Sequence, residues 1–291
     1  MTPSMRFPSA KISAVVSDVD GTLVTNDKKL SARTQAAVAD LHARGIIFTI
    51  ISSRPPRGLH MLLESLEIAT PIGGFNGGVI ARPDLSVITA HVLPSQVARS
   101  VVDMLTAHRA QPWVFAGREW VVHDSEGPYV KSEERTVRFE PTIAEDFGPA
   151  LDIAAKIVGV SADFELLARC EHDVRVALAG KASVARSQPY YLDITHPLAN
   201  KGAALSELAK LLAIPLAEIA VIGDGGNDIA MFERSGLSIA MGNAGPQVRQ
   251  AADFVTDSNH DEGFANAIER FILGGDRSEA RADIAGAGGS V

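Results

Sequence analysis

The chain has a single cysteine, Cys170, among its 291 residues. One cysteine excludes an internal disulfide and fits a reducing cytoplasm. Long apolar stretches are also missing. Nowhere do 18 or more uncharged apolar residues follow one another, which excludes a spanning helix. Residues 1–10 lack the apolar core of a secretory signal. Positive charge is in the minority, with 27 Lys and Arg against 35 Asp and Glu, a net charge of −8. That balance argues against general nucleic-acid binding, which needs a basic surface. It also repels anionic substrates weakly, so a site for anions requires local cations, either side chains or a metal.

What remains is the composition of an ordinary globule, 46% hydrophobic and 21% charged, with length for one large domain or two. Strand and helix patterns alternate through the first eighty residues. An apolar strand over 12–16 leads to an acidic turn, and Ser31 is suited to cap a helix ending near Arg44, with Gly45 beyond it. A second apolar strand covers 46–51, a helix lies near 59–66, and a short strand over 71–75 ends at Asn76-Gly77-Gly78. This order predicts an α/β fold, a Rossmann-like, doubly wound parallel sheet.

The texture changes over residues 82–189, where short strands such as 113–115 and 119–123 alternate with helices near 97–108 and 149–158. Trp113, Trp120 and Tyr129 lie here, with Tyr190 and Tyr191 at the edge. This reads as an inserted α+β domain. The core is then residues 11–81 and 190–273, and 274–291, rich in Gly, Ala and charge, reads as a disordered tail. In the second core segment a helix over 201–212 precedes a strand over 219–222, a helix near 229–234, a strand near 237–241 and a last helix over 262–273.

The chemistry concentrates at strand ends, where open α/β sheets bind ligands. The first strand delivers Asp18-Val19-Asp20-Gly21-Thr22-Leu23, two carboxylates one residue apart, so that one can attack while the other moves protons. Gly21 permits a sharp turn, and Thr22 offers a hydroxyl and an N–H. Ser52 and Ser53 follow the second strand at a helix start. Lys201 opens a helix as a compact cation. Asp224, Asn227 and Asp228 sit in a glycine-rich turn at another strand end. Several carboxylates converging without a cation would repel one another. Mg²⁺, which takes a few carboxylates together with water and substrate phosphate, resolves that conflict.

Asp-x-Asp-Gly-Thr-Leu, the strand-end Ser52, Lys201-Gly202 and Gly-Asp-x-x-Asn-Asp resemble, in order and spacing, the four motifs of the haloacid dehalogenase superfamily. Residues 223–244, with Asn-Asp-Ile-Ala-Met-Phe and Ala-Met-Gly-Asn-Ala, resemble its Cof-type phosphatases, which carry a large cap between the second and third motifs. The resemblance runs from about residue 12 to 273. It implies that Asp18 is the nucleophile forming an aspartyl-phosphate and that Asp20 protonates the leaving oxygen and then activates water. It further implies phosphate or substrate contacts from Gly21, Thr22, Ser52, Ser53, Lys201 and Asn227. Mg²⁺ would be held by Asp18, Asp20 through its backbone carbonyl, and Asp224, with Asp228 in support. The second motif usually reads Thr-Gly-Arg; here it is Ser52-Ser53-Arg54, which keeps a hydroxyl and adds a Cβ.

The expected function is therefore a Mg²⁺-dependent phosphomonoesterase acting in the cytoplasm on a small phosphorylated metabolite, sugar phosphates included, without nucleic-acid or membrane partners. The pattern carries no signal for oligomeric state. Candidate specificity contacts in the inserted domain are Arg135, Arg138, Arg169, Arg175, Lys131, His123 and Trp120. A phosphomutase acting on a phosphosugar, and a catalytically silent regulator on the same fold, are the alternatives.

Overall fold

The computed structural model describes residues 11–274, so the tail expected from 274 onward lies, Gly274 apart, outside the described residues. The chain opens with β1 (Ala14–Ser17), α1 (Ala32–Ala43) and β2 (Ile47–Ile50). Ala14, Val15 and Val16 are fully buried, as the apolar run requires of a strand covered on both faces. Ser31 caps α1 by accepting the Thr34 N–H at 3.0 Å, and Gly45 leaves the helix in a left-handed conformation, as its position predicted.

Residues 51–204 form one compact unit. It begins with a 3-10 turn (Pro56–Leu59) leading into α2 (His60–Ser65), followed by β3 (Ile72–Gly74), β4 (Val79–Ala81) and β5 (Val87–Ala90). Gly73 of β3 bridges Ile51 in parallel, as the strand expected over 71–75 requires, but the three strands also make an antiparallel sheet of their own. The reason is local: Phe75, Asn76 and Gly77 all take positive φ, and the chain folds straight back as a hairpin.

The unit continues with α3 (Ser95–Ala107), β6 (Gln111–Ala116), β7 (Glu119–Val122), α4 (Val130–Val137), β8 (Thr142–Ile143), β9 (Ala154–Val160), α5 (Phe164–Ala177), β10 (Ser183–Gln188) and β11 (Tyr191–Thr195). The six strands pair in the order β10-β11-β9-β6-β7-β8. Ala98, Val101 and Leu105 of α3 and Leu167, Cys170 and Val174 of α5 cluster with Val114, Ile157, Leu192 and Ile194 of the sheet. The alternate strand residues carry an aromatic ladder instead. Phe115 stacks on Trp120 at 5.8 Å, and Trp113 meets Trp120 edge-on at 5.1 Å and Tyr191 at 5.3 Å.

The helix expected over 149–158 is a correction: a 3-10 turn (Gly148–Asp152) and the strand β9 occupy that stretch. Ile157, Val158 and Val160 are β-branched, and β9 lies between β6 and β11, where those side chains pack on both faces. The boundary expected at 189/190 falls between β10 and β11, which pair as a hairpin, and that at 81/82 at the end of β4.

After α6 (Lys201–Leu212) the chain forms β12 (Ile219–Gly223), α7 (Ile229–Phe232), β13 (Leu237–Ala240), α8 (Pro246–Ala251), β14 (Phe254–Val255) and α9 (Gly263–Ala267), which continues as a π-helical turn to Leu273. The described residues up to Ile50 and those from Leu205 onward form the second compact unit. Its five strands are all parallel, in the order β14-β13-β12-β1-β2. Strand β1, between β12 and β2, aligns Ala14 with Ile219 on one side and with Ile47 on the other. Phe48 of β2 meets Phe264 of α9 edge-on at 5.8 Å. This is the expected α/β core. Among the described residues no helix is long and apolar enough to cross a membrane.

Candidate active site

Because β1 and β12 are adjacent and parallel, with Ser17 opposite Ile222, their carboxyl ends release Asp18 and Asp224 side by side. Asp18 is still anchored to the sheet: its N–H donates to the Ile222 carbonyl at 2.9 Å. The chain then wraps around a single acceptor. The Val19 carbonyl receives N–H groups from Thr22, Leu23 and Val24 at 3.4, 3.0 and 3.1 Å, while Val19, Leu23 and Val24 are buried. The apolar members of the motif hold the loop down and leave Asp20 and Gly21 partly exposed.

Gly21 sits at φ +81°, and a Cβ there would collide with the Asp224 carboxylate. Glycine is therefore required twice, for conformation and for space. Thr22 Oγ1 donates to Asp224 Oδ1 at 3.1 Å. On the other strand, Asp228 is fully buried and its Oδ2 accepts the N–H groups of Asp224 and Gly225 at 2.9 and 2.8 Å. A Cβ on Gly223 would strike that carboxyl, so the sequence Gly223-Asp224-Gly225 is shaped around Asp228. Asn227 lies exposed in the same 3-10 turn.

Carboxylate oxygens of Asp18, Asp224 and Asp228 all lie within 4.8 Å of one another. Three hard oxygen donors at that spacing suit a hard divalent cation and would otherwise oppose their own convergence. The side chain of Asp20 stands apart from this cluster, forming an ion pair with Lys28, whose Nζ lies 2.6 Å from Asp20 Oδ1.

Ser52, Ser53 and Lys201 belong to the other compact unit. Ser52 is fully buried. Its N–H donates to the Gly73 carbonyl at 2.9 Å, its carbonyl accepts from Asn76 at 2.8 Å, and its hydroxyl accepts the Arg54 N–H at 3.1 Å. Ser53 is half-buried. Lys201 opens α6 behind Asn200, whose side chain caps the helix by accepting the Ala203 N–H at 2.8 Å, and only 1% of Lys201 is exposed.

Three residues of the site were not anticipated. Asn243 donates through Nδ2 to Asp224 Oδ2 at 3.2 Å and to the Gly21 carbonyl at 2.9 Å. Asn259 donates its N–H to Asn243 Oδ1 at 3.0 Å, and its own Nδ2 to Val24 O and Asn26 Oδ1 at 3.1 and 3.2 Å. Lys28 is the third. Asn243 lies in the Ala-Met-Gly-Asn-Ala run that carried part of the family resemblance; for Asn259 and Lys28 the sequence held no signal.

Comparison with known proteins fits this geometry. The chain is 28% identical over 264 residues to a putative phosphatase from Haemophilus influenzae, covering 88% of this chain and 97% of the relative. It is 30% identical over 233 residues to an HMP-PP phosphatase from Cronobacter sakazakii, covering 79% and 84%. A crystal structure of a haloacid dehalogenase-like hydrolase from Bacteroides thetaiotaomicron superposes with a TM-score of 0.82 at 32% identity, over 89% of this chain and 99% of that one. The sequence model of one family matches residues 15–268, from within β1 to the end of α9, and by that match the chain belongs to the haloacid dehalogenase-like hydrolases.

Proposed function

We propose that this chain, a phosphatase of the haloacid dehalogenase-like family, hydrolyses small phosphorylated metabolites, sugar phosphates among them, with Mg²⁺ and through an aspartyl-phosphate. The observation that carries the proposal is the convergence of Asp18, Asp224 and Asp228 at the ends of neighbouring strands. Asp18, Asp224 and the Asp20 carbonyl would hold the ion, with Asp228 fixing the loop that presents Asp224. Bound there, Mg²⁺ would neutralise phosphate charge and lower the repulsion an anionic substrate meets.

In the first step a carboxylate oxygen of Asp18 bonds to phosphorus as the ester P–O bond breaks. Asp20, as the carboxylic acid, gives its proton to the departing oxygen, so the product leaves as an alcohol. In the second step Asp20, now the carboxylate, takes a proton from water. The water oxygen bonds to phosphorus, and the P–O bond to Asp18 breaks to return its carboxylate and release inorganic phosphate. The Ser52 hydroxyl and the Lys201 ammonium would hold phosphoryl oxygens, with Gly21, Thr22, Ser53 and Asn227 contributing contacts. Residues 82–189 would act as the cap that selects the substrate. The single buried thiol fits a cytoplasmic location.

The test is phosphate release from a panel of sugar phosphates, nucleotides and pyridoxal phosphate. Activity should vanish with EDTA, return with Mg²⁺ and be lost in Asp18→Asn. Phosphate release that persists in EDTA, or in Asp18→Asn free of deamidation, would refute the mechanism. Transfer of the phosphoryl group back to the sugar without phosphate release would mark a mutase.

A further inference from the structure

We propose that Lys28 is a positioning residue for Asp20: its ammonium holds the carboxyl group in the orientation from which the proton is delivered to the leaving oxygen. The proposal rests on the reading of Asp20 as the proton carrier.

Two independent observations support it. The first is the contact, 2.6 Å between Lys28 Nζ and Asp20 Oδ1, with both side chains only partly exposed at 34% and 26%. The second is the backbone at Lys28, which has φ +62°. That left-handed conformation favours Gly or Asn, and a long side chain adopts it at a cost that clusters at functional positions. The turn imposing it is closed from several sides. Thr25 N–H donates to the Lys29 carbonyl at 3.0 Å, and Lys28 N–H to the Thr25 carbonyl at 2.9 Å. Its base is pinned by a bridge between Asp20 and Val24 and by the Asn259 side chain on Val24 and Asn26. The turn therefore returns Lys28 to the motif that precedes it by eight residues. The next lysine is used differently: Lys29 pairs with Asp27 at the surface, 78% exposed.

A carboxyl group gripped at one oxygen cannot turn freely about its Cβ–Cγ bond, so the proton-bearing geometry is occupied before substrate arrives. That matters only when the leaving oxygen needs a proton. An alkoxide or phenoxide leaving group does; dinitrophenolate, stable as the anion, does not.

The experiment compares kcat/KM, which reports the step that cleaves the ester, for phenyl phosphate and 2,4-dinitrophenyl phosphate. Lys28→Met should lower kcat/KM for phenyl phosphate about 10- to 100-fold and leave dinitrophenyl phosphate within about threefold. Lys28→Arg should restore most of the loss, and Lys29→Met should change neither substrate. Asp20→Asn is the internal reference and should show the same leaving-group bias more strongly. If Asp20→Asn shows the bias and Lys28→Met lowers both esters equally, or neither, the positioning role is overturned while the reading of Asp20 stands. If Asp20→Asn shows no bias, the reading of Asp20 falls and takes the proposal with it.

Discussion

Asn243 holds Asp224 and Gly21 with one amide nitrogen, 3.2 Å from Asp224 Oδ2 and 2.9 Å from the Gly21 carbonyl. Partners that orient metal-binding carboxylates typically change metal affinity about 10- to 100-fold when removed. Asn243→Ala is therefore expected to raise the Mg²⁺ concentration for half-maximal phosphate release by about that factor. A titration of activity against Mg²⁺ checks it, and saturating metal should recover most of the rate.

Asp228 supports the neighbouring loop by accepting two backbone N–H groups through one oxygen. Asp228→Ala leaves both donors without that partner in a part-buried loop and should cost about 2–3 kcal/mol. Asp228→Asn keeps an oxygen acceptor and should cost less. Urea unfolding followed by circular dichroism distinguishes the two, provided the m-value is unchanged.

Cys170 faces the α3–α5 side of the six-stranded sheet, fully buried. Burial, with a smaller contribution from nearby Asp173, pushes its thiol up to about 11. The native protein should react with a thiol reagent at neutral pH at least about 100-fold more slowly than the unfolded chain. Rapid labelling of folded protein would contradict this packing.

His196 stacks on His91 with ring centroids 5.5 Å apart, and its Nδ1 accepts the Leu198 N–H at 3.1 Å. Burial first, and then His91, lowers its pKa below the ordinary 6.5. The unfolded chain therefore binds this proton more readily than the folded one. Stability should be fully present above pH 6.5 and decline as pH falls from there towards the lowered folded value. His196→Asn, which keeps an acceptor for Leu198, should flatten that part of the curve of Tm against pH. An unchanged slope would refute it.

The cluster of Asp18, Asp224 and Asp228 was legible in the sequence because each residue stands in a local pattern, a strand running into a Gly-rich turn. Strand adjacency then does the rest. Asn243, Asn259 and Lys28 were not legible, because their roles depend on where a loop lands. Asn243 reaches Gly21 from 222 residues away, and nothing in its neighbours encodes that meeting. The helix expected over 149–158 failed for a related reason. β9 is a strand because β6 and β11 lie on either side of it, which no local pattern encodes. The β3–β4 hairpin was not legible, because three-residue strands leave too little pattern to choose a second partner.

In the parallel sheet, β1 pairs Ala14 with Ile219 of β12 across a separation of 205 residues. During translation β1 leaves the ribosome long before β12 exists. At ordinary synthesis rates the wait is about 10–40 s, far longer than hairpins need to form. In that interval residues 51–204, all local to one another, are made in full and have time to fold first. β1 meanwhile has only β2 beside it, with one apolar edge uncovered. The interval is a window for chaperone capture and for pairing with the wrong strand. It also sets the order of assembly: Asp224 reaches Asp18 only after β12 closes the sheet, so no partly made chain carries an assembled acidic cluster.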